Sequence, residues 1–134
     1  MVYIQQQSHF CKFDTTEWSL FNEYEKQVFK VTKELLLIDG PYEDRLSIPQ
    51  IRLFDDTFGA YFGSAVGLWW CLKKHCNLHP KFEIKHMLWA LCHMKLYMTD
   101  SITADRFRVS RSTFKKWVMI ALDYMSLLDK VLVS

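Results

Sequence analysis

Two short stretches of this chain hold side chains whose types and spacing could do chemistry. In CLKKHCNLH, residues 71–79, Cys71, His75, Cys76 and His79 supply four potential zinc ligands within nine positions. On a helix Cys71 and His75 share a face at i and i+4, and a turn after Asn77 could return His79 to them. Against this, Cys76 lies about 100° around the helix from His75, no C-x-x-C knuckle is present, and Cys71 sits in the apolar run LWWCL. Packing or surface roles suit these residues better than a metal site. His86, Cys92 and His93 add no recognised ligand spacing. The second stretch, ITADRFRVSRSTFKKWV at residues 102–118, places five basic side chains within eleven positions, and no acid follows Asp105 in it. Its chemistry is attraction for phosphate and hydrogen bonding to base edges.

Other chemistries find less support. A nucleophilic mechanism needs a Cys or Ser with a His base in reach and a group to hold the developing anion, and no spacing links such residues. Asp55-Asp56 is a carboxylate pair, but adjacent acids before Phe-Gly more often cap a helix or solvate a turn. No glycine-rich phosphate cradle occurs. No enzymatic activity, cofactor or metal is therefore expected.

Charge is divided along the chain. Residues 14–56 hold ten acids and five bases, whereas residues 73–116 hold ten bases and three acids, although the whole chain carries only +2. A basic half gains from counterion release on a duplex that the acidic half would be repelled by. Nucleic acid, if bound, is bound by the second half.

The elements that position these residues follow from hydrophobic period. The chain has 134 residues, half of them apolar, with four Gly and three Pro, which points to one mostly helical domain. Residues 1–13 show no period and read as an arm. They carry neither a basic start with an apolar run nor a cleavage-site pattern, and no apolar stretch reaches the roughly 18 residues of a membrane span. A soluble intracellular protein with reduced cysteines is expected. From residue 15 to 38, Trp18, Phe21, Tyr24, Val28, Val31, Leu35 and Ile38 recur at steps of three and four, which predicts an amphipathic helix capped by Thr15 or Thr16 and stopped at Asp39-Gly40-Pro41. Its heptad-like stripe suits either an ordinary core or a protein partner, with Trp18, Phe21, Val28 and Leu35 as the candidate partner contacts. Residues 41–50 read as a connecting loop. DDTFGAYFGS reads as a tight turn, with Ser64 capping a helix to about Asn77. Further helices are expected after His79-Pro80, from Thr99 or Ser101, and from Arg111 to about Leu132.

The basic stretch has the parts of a helix-turn-helix. Ala104 allows close approach, Phe107 closes the first helix, Val109 packs in the turn, and Ser110 caps the second. Phe114 and Trp117 clamp the pair. On the opposite face Arg111, Ser112 and Lys115 would meet base edges, with Met119 one turn on, while Arg106, Arg108 and Lys116 would hold phosphates. Arg108 stands where the turn commonly has Gly, so a non-Gly residue is expected at positive φ.

The order FGSAVGLWW followed by HPKFEIKHMLWALCHMKLYMTDSITADRFRVSRSTFKKWVMIALDYM resembles the DNA-binding region that precedes the catalytic domain in DDE-type transposases of the Harbinger and insertion-sequence kinds. There an FG-S helix with a tryptophan is followed by an "LLWAL-FLK-Y" helix and a helix-turn-helix ending in "S-TF-KWV". The resemblance covers about residues 54–128, and SRSTFKKWV is its strongest element. It implies recognition of double-stranded DNA by the helix from Arg111. The family's three metal-binding carboxylates lie downstream of that region, and this sequence ends at Ser134, so catalysis is not implied. The expectation is one all-α domain over 1–134: an arm at 1–13, the amphipathic helix at 15–38 and the helix-turn-helix region at 54–132. In function it would be a nuclear, DNA-recruiting accessory subunit whose larger protein partner carries the catalysis. The alternative is a scaffold subunit of a DNA-modifying complex with weak or no DNA binding of its own.

Overall fold

The computed structural model describes residues 18–37, 47–96 and 100–133, and these form a compact all-α domain. Six helices follow in order: α1 (Trp18–Leu35), α2 (Ile48–Phe58), α3 (Phe62–His75), α4 (Ile84–Leu96), α5 (Asp100–Arg106) and α6 (Arg111–Val133). No strand occurs among the described residues. The arm, Thr15, Thr16 and Asp39-Gly40-Pro41 lie outside them.

α4 is the centre of the fold. Met87, Leu88, Trp89, Ala90 and Cys92 are all buried, and the helix packs against each of the other five. That explains its poor amphipathicity by sequence: a helix surrounded by partners is apolar on every side. α1 lies on α3 and α4, and α2 lies on α4 and α3. α6, the longest helix, runs along α4 and crosses α3 and α5.

Three boundaries differ from the sequence reading. Residues 48–50 are helical rather than part of a connecting loop. Ser47 accepts the Gln50 backbone N–H at 3.4 Å and Gln50 Oε1 accepts the Ser47 N–H at 2.8 Å, a reciprocal capping box with Pro49 in the first turn. Ser64 does not cap α3. That helix begins two residues earlier at Phe62, with Tyr61 at the cap and no side-chain bond there. The turn before it is made by Gly59, whose N–H still bonds the Asp55 carbonyl and whose left-handed φ of 67° then turns the chain out of α2. α1 ends at Leu35, and Leu37 adopts a left-handed φ of 54° ahead of the predicted stop.

Two expectations about side chains are corrected as well. Phe21 and Val28 are buried in the core of this chain, and Leu35 packs partly against it, so the stripe proposed for a partner is occupied internally. The side chain of Trp18 lies outside the described set. Cys71 is disulfide-bonded rather than a reduced core thiol, while Cys76 and Cys92 are free.

Candidate nucleic-acid interface

The turn between α5 and α6 is built by backbone hydrogen bonds that the sequence positions dictate. The Val109 N–H reaches the Ala104 carbonyl at 3.0 Å and the Arg108 N–H reaches the Asp105 carbonyl at 3.1 Å. These are the paired bonds of a Schellman ending, and they require the residue at position 108 to be left-handed. Arg108 has φ 59°, as its place in the motif predicted. Ala104 is buried beneath the half-buried Val109, the two positions whose apolar contact accompanies this ending.

α6 then starts at a capped end. Ser110 Oγ accepts the Thr113 N–H at 3.3 Å, and its hydroxyl donates to Thr113 Oγ1 at 2.8 Å. The inward face carries Phe114, Trp117, Val118 and Ala121, all buried. Phe114 sits 5.7 Å from the Trp89 ring, and Phe107 stacks between Phe58 and Trp89 at 6.4 Å from each. The helix pair is thus clamped to α4 and α2 by aromatic contacts.

Arg111, Ser112, Lys115, Lys116 and Met119 are exposed, as is Arg108. With a rise of about 1.5 Å per residue, Arg111 to Met119 spans roughly 12 Å of helix, the length of two turns. That is the scale on which a recognition helix meets successive base pairs. The Lys116 ammonium lies 5.0 Å from the centre of the Trp117 ring, which holds its stem against the protein and its charge outward. Arg106 is exposed as well, but it already has a partner within the chain. Its guanidinium donates to the Thr57 hydroxyl of α2 at 3.4 Å, and its charge partly offsets the upward push that burial exerts on the Cys92 thiol. It ties α5 to α2.

One structural position escaped the sequence reading. His86 is buried, stacks face to face on Trp117 with ring centres 4.2 Å apart, and accepts the Glu83 backbone N–H on Nδ1 at 2.9 Å. It ties α4 to α6. Burial is the main cause that lowers its pKa to about 4, with Lys85 pushing the same way and Glu83 against. Its signal in the sequence was its place three residues after Glu83, the residue just ahead of α4, where a side chain can bond back to a free N–H at the helix start.

No family profile, curated protein or solved structure matches this chain. The site must therefore be read from its own geometry. Among the described residues no group of three or more His, Cys, Asp or Glu could hold a metal ion. Of the CLKKHCNLH residues, Cys71 is disulfide-bonded and His75 is exposed, while the Cys76 thiol donates to the Tyr124 carbonyl and His79 stands edge-on to Trp117. No helix of the described residues is long and apolar enough to cross a membrane. A half-open apolar cleft of about 310 Å³ lies beside Leu68, Leu91, Met94 and Met125, with Ser64 and Asp129 as its polar groups.

Proposed function

We propose that this chain is a non-catalytic DNA-binding module that uses α5–turn–α6 as a helix-turn-helix. α6 enters the major groove, Arg111, Ser112 and Lys115 face base edges, and Arg108 and Lys116 hold phosphates. The observation that carries this reading is the division of α6: Phe114, Trp117 and Val118 are buried, whereas Arg111, Ser112, Lys115 and Lys116 on the other face are exposed. The resemblance of SRSTFKKWV to transposase DNA-binding regions supports the same assignment. As an accessory subunit, the module would bring DNA to a larger partner that carries the chemistry. The scaffold alternative would need contacts other than Phe21 and Val28, which are buried in this chain's own core.

The test is Lys115→Glu combined with Lys116→Glu. Both side chains are exposed, so the fold and helicity are kept, and losing the Lys116–Trp117 contact lowers stability by no more than about 1 kcal/mol. Affinity for a short duplex at low salt falls about 100-fold or more, because each phosphate left unneutralised keeps its counterions and each new carboxylate repels the strand. Unchanged affinity overturns the assignment.

A further inference from the structure

The connection from α3 to α4, residues 76–83, is packed on the recognition helix. The His79 backbone N–H donates to the Tyr124 hydroxyl at 2.7 Å, and the Phe82 ring lies 5.1 Å from Tyr124 and 6.4 Å from Trp117. Tyr124 and Trp117 are seven residues apart, two turns of α6 on one side of the helix. The connection is therefore fixed along that side, next to Lys116. Arg108 stands elsewhere, at the start of α6.

Three ammonium groups lie over rings of the aromatic cluster that joins the connection to α6, and a fourth lysine, Lys81, is exposed in the connection. Lys116 lies over Trp117 at 5.0 Å. Lys73 lies 5.8 Å over Trp69, whose ring stacks on Phe82 at 6.1 Å. Lys85 lies 5.9 Å over Trp89, which meets His86 at 5.0 Å. Lys81 is exposed within the connection, where its backbone N–H bonds to His79 Nδ1 at 3.0 Å. From Cys71 to His86 the only acid is Glu83, paired with Lys85 at 3.3 Å.

We infer that the end of α3 and this connection together form a second phosphate-binding edge for duplex DNA, with Lys73 of α3 and Lys81 of the connection as its principal contacts. The inference rests on the DNA-binding role of α6 proposed above. A helix about 10–12 Å across fills a major groove about 12 Å wide, so a phosphate backbone runs along each of its flanks. Arg108 serves the N-terminal end, and the connection offers positive charge along the flank that bears Lys116. A lysine stem laid on a ring is already partly ordered, so less entropy is lost when its head meets a phosphate. The contacts fall on strand backbone, so they add affinity without adding sequence preference.

The experiment measures binding of the full chain to a duplex across a salt series. Lys73→Gln with Lys81→Gln flattens the log K against log salt slope by about 1.8, at roughly 0.9 for each phosphate no longer neutralised. Affinity falls by a common factor on duplexes of different sequence. A slope equal to that of the wild type overturns the second edge. If Lys115→Glu with Lys116→Glu abolishes binding while the Lys73, Lys81 variant keeps the wild-type slope, the edge fails and the recognition helix stands. If the unaltered chain binds no duplex at low salt, both fail. Binding of poly-glutamate as tight as that of duplex also overturns the edge, because the surface would then answer to negative charge alone.

Discussion

Arg108 occupies a backbone conformation that glycine would adopt freely. An L side chain in the left-handed region costs roughly 1–2 kcal/mol, yet the Schellman bonds of Val109 and Arg108 hold the chain at φ 59°. Strain retained at an exposed basic residue is best explained by what its side chain does. Arg108→Gly should therefore separate two properties: it raises stability by about 1 kcal/mol in urea unfolding and weakens duplex binding. A variant that is stabilised but binds DNA as tightly as the wild type would show that the guanidinium holds no phosphate. This strain was legible in the sequence, since the motif itself places a left-handed residue there. The turn of Arg106 toward Thr57 was not, because it depends on the placement of α2, forty-nine residues away in the chain.

At the scale of elements, the helices with a strong local code were readable and those that depend on their neighbours were less so. α6 has a cap, a clean apolar stripe and a basic outer face, and its start at Arg111 was recovered from these alone. The start of α2 was missed although Ser47-Ile48-Pro49-Gln50 spells a capping box, because the charged and proline-containing residues before it read as a loop. α1 showed why a stripe does not reveal its partner. The 3–4 spacing of Phe21 and Val28 is the same whether the covering surface is α3 or another protein, and only the packing decides it. The joint between α2 and α3 offers a test of element placement. A Cβ at Gly59 would stand 2.9 Å from Lys95 Cδ, and the residue has φ 67°. Gly59→Ala should lower stability by more than about 1 kcal/mol from the backbone alone. Lys95→Ala in the same chain removes the Cγ and Cδ contacts but keeps the Cβ at 3.0 Å, so it should recover only part of the steric cost and none of the backbone cost. Full recovery would mean that the left-handed turn costs nothing.

For the molecule as a whole, stability should depend on pH through the histidine beneath α6. His86 binds its proton with a pKa of about 4 when folded, against an ordinary value of 6.5. The unfolded chain thus takes up more protons between these values, and stability declines as pH falls from about 6.5 toward 4, by on the order of 3 kcal/mol at most. Above 6.5 this contribution is fully present. Urea unfolding at a series of pH values should show the decline, and His86→Gln, which keeps an acceptor for the Glu83 N–H, should flatten it. An identical decline in the variant would place the dependence on other groups. The all-α class was legible from composition and period, and so was the basic face. The aromatic cluster that gathers Lys73, Lys85 and Lys116 was not, since its rings come from three helices and a connection.

The two faces of α6 also bear on how such a protein can change over generations. Phe114, Trp117 and Ala121 are locked into contacts with the rest of the domain, whereas Arg111, Ser112, Lys115 and Met119 touch solvent. Substitutions on the solvent side leave the fold alone, so under the proposed function they would change which bases are preferred. The exposed face is free to vary while the buried one holds the architecture.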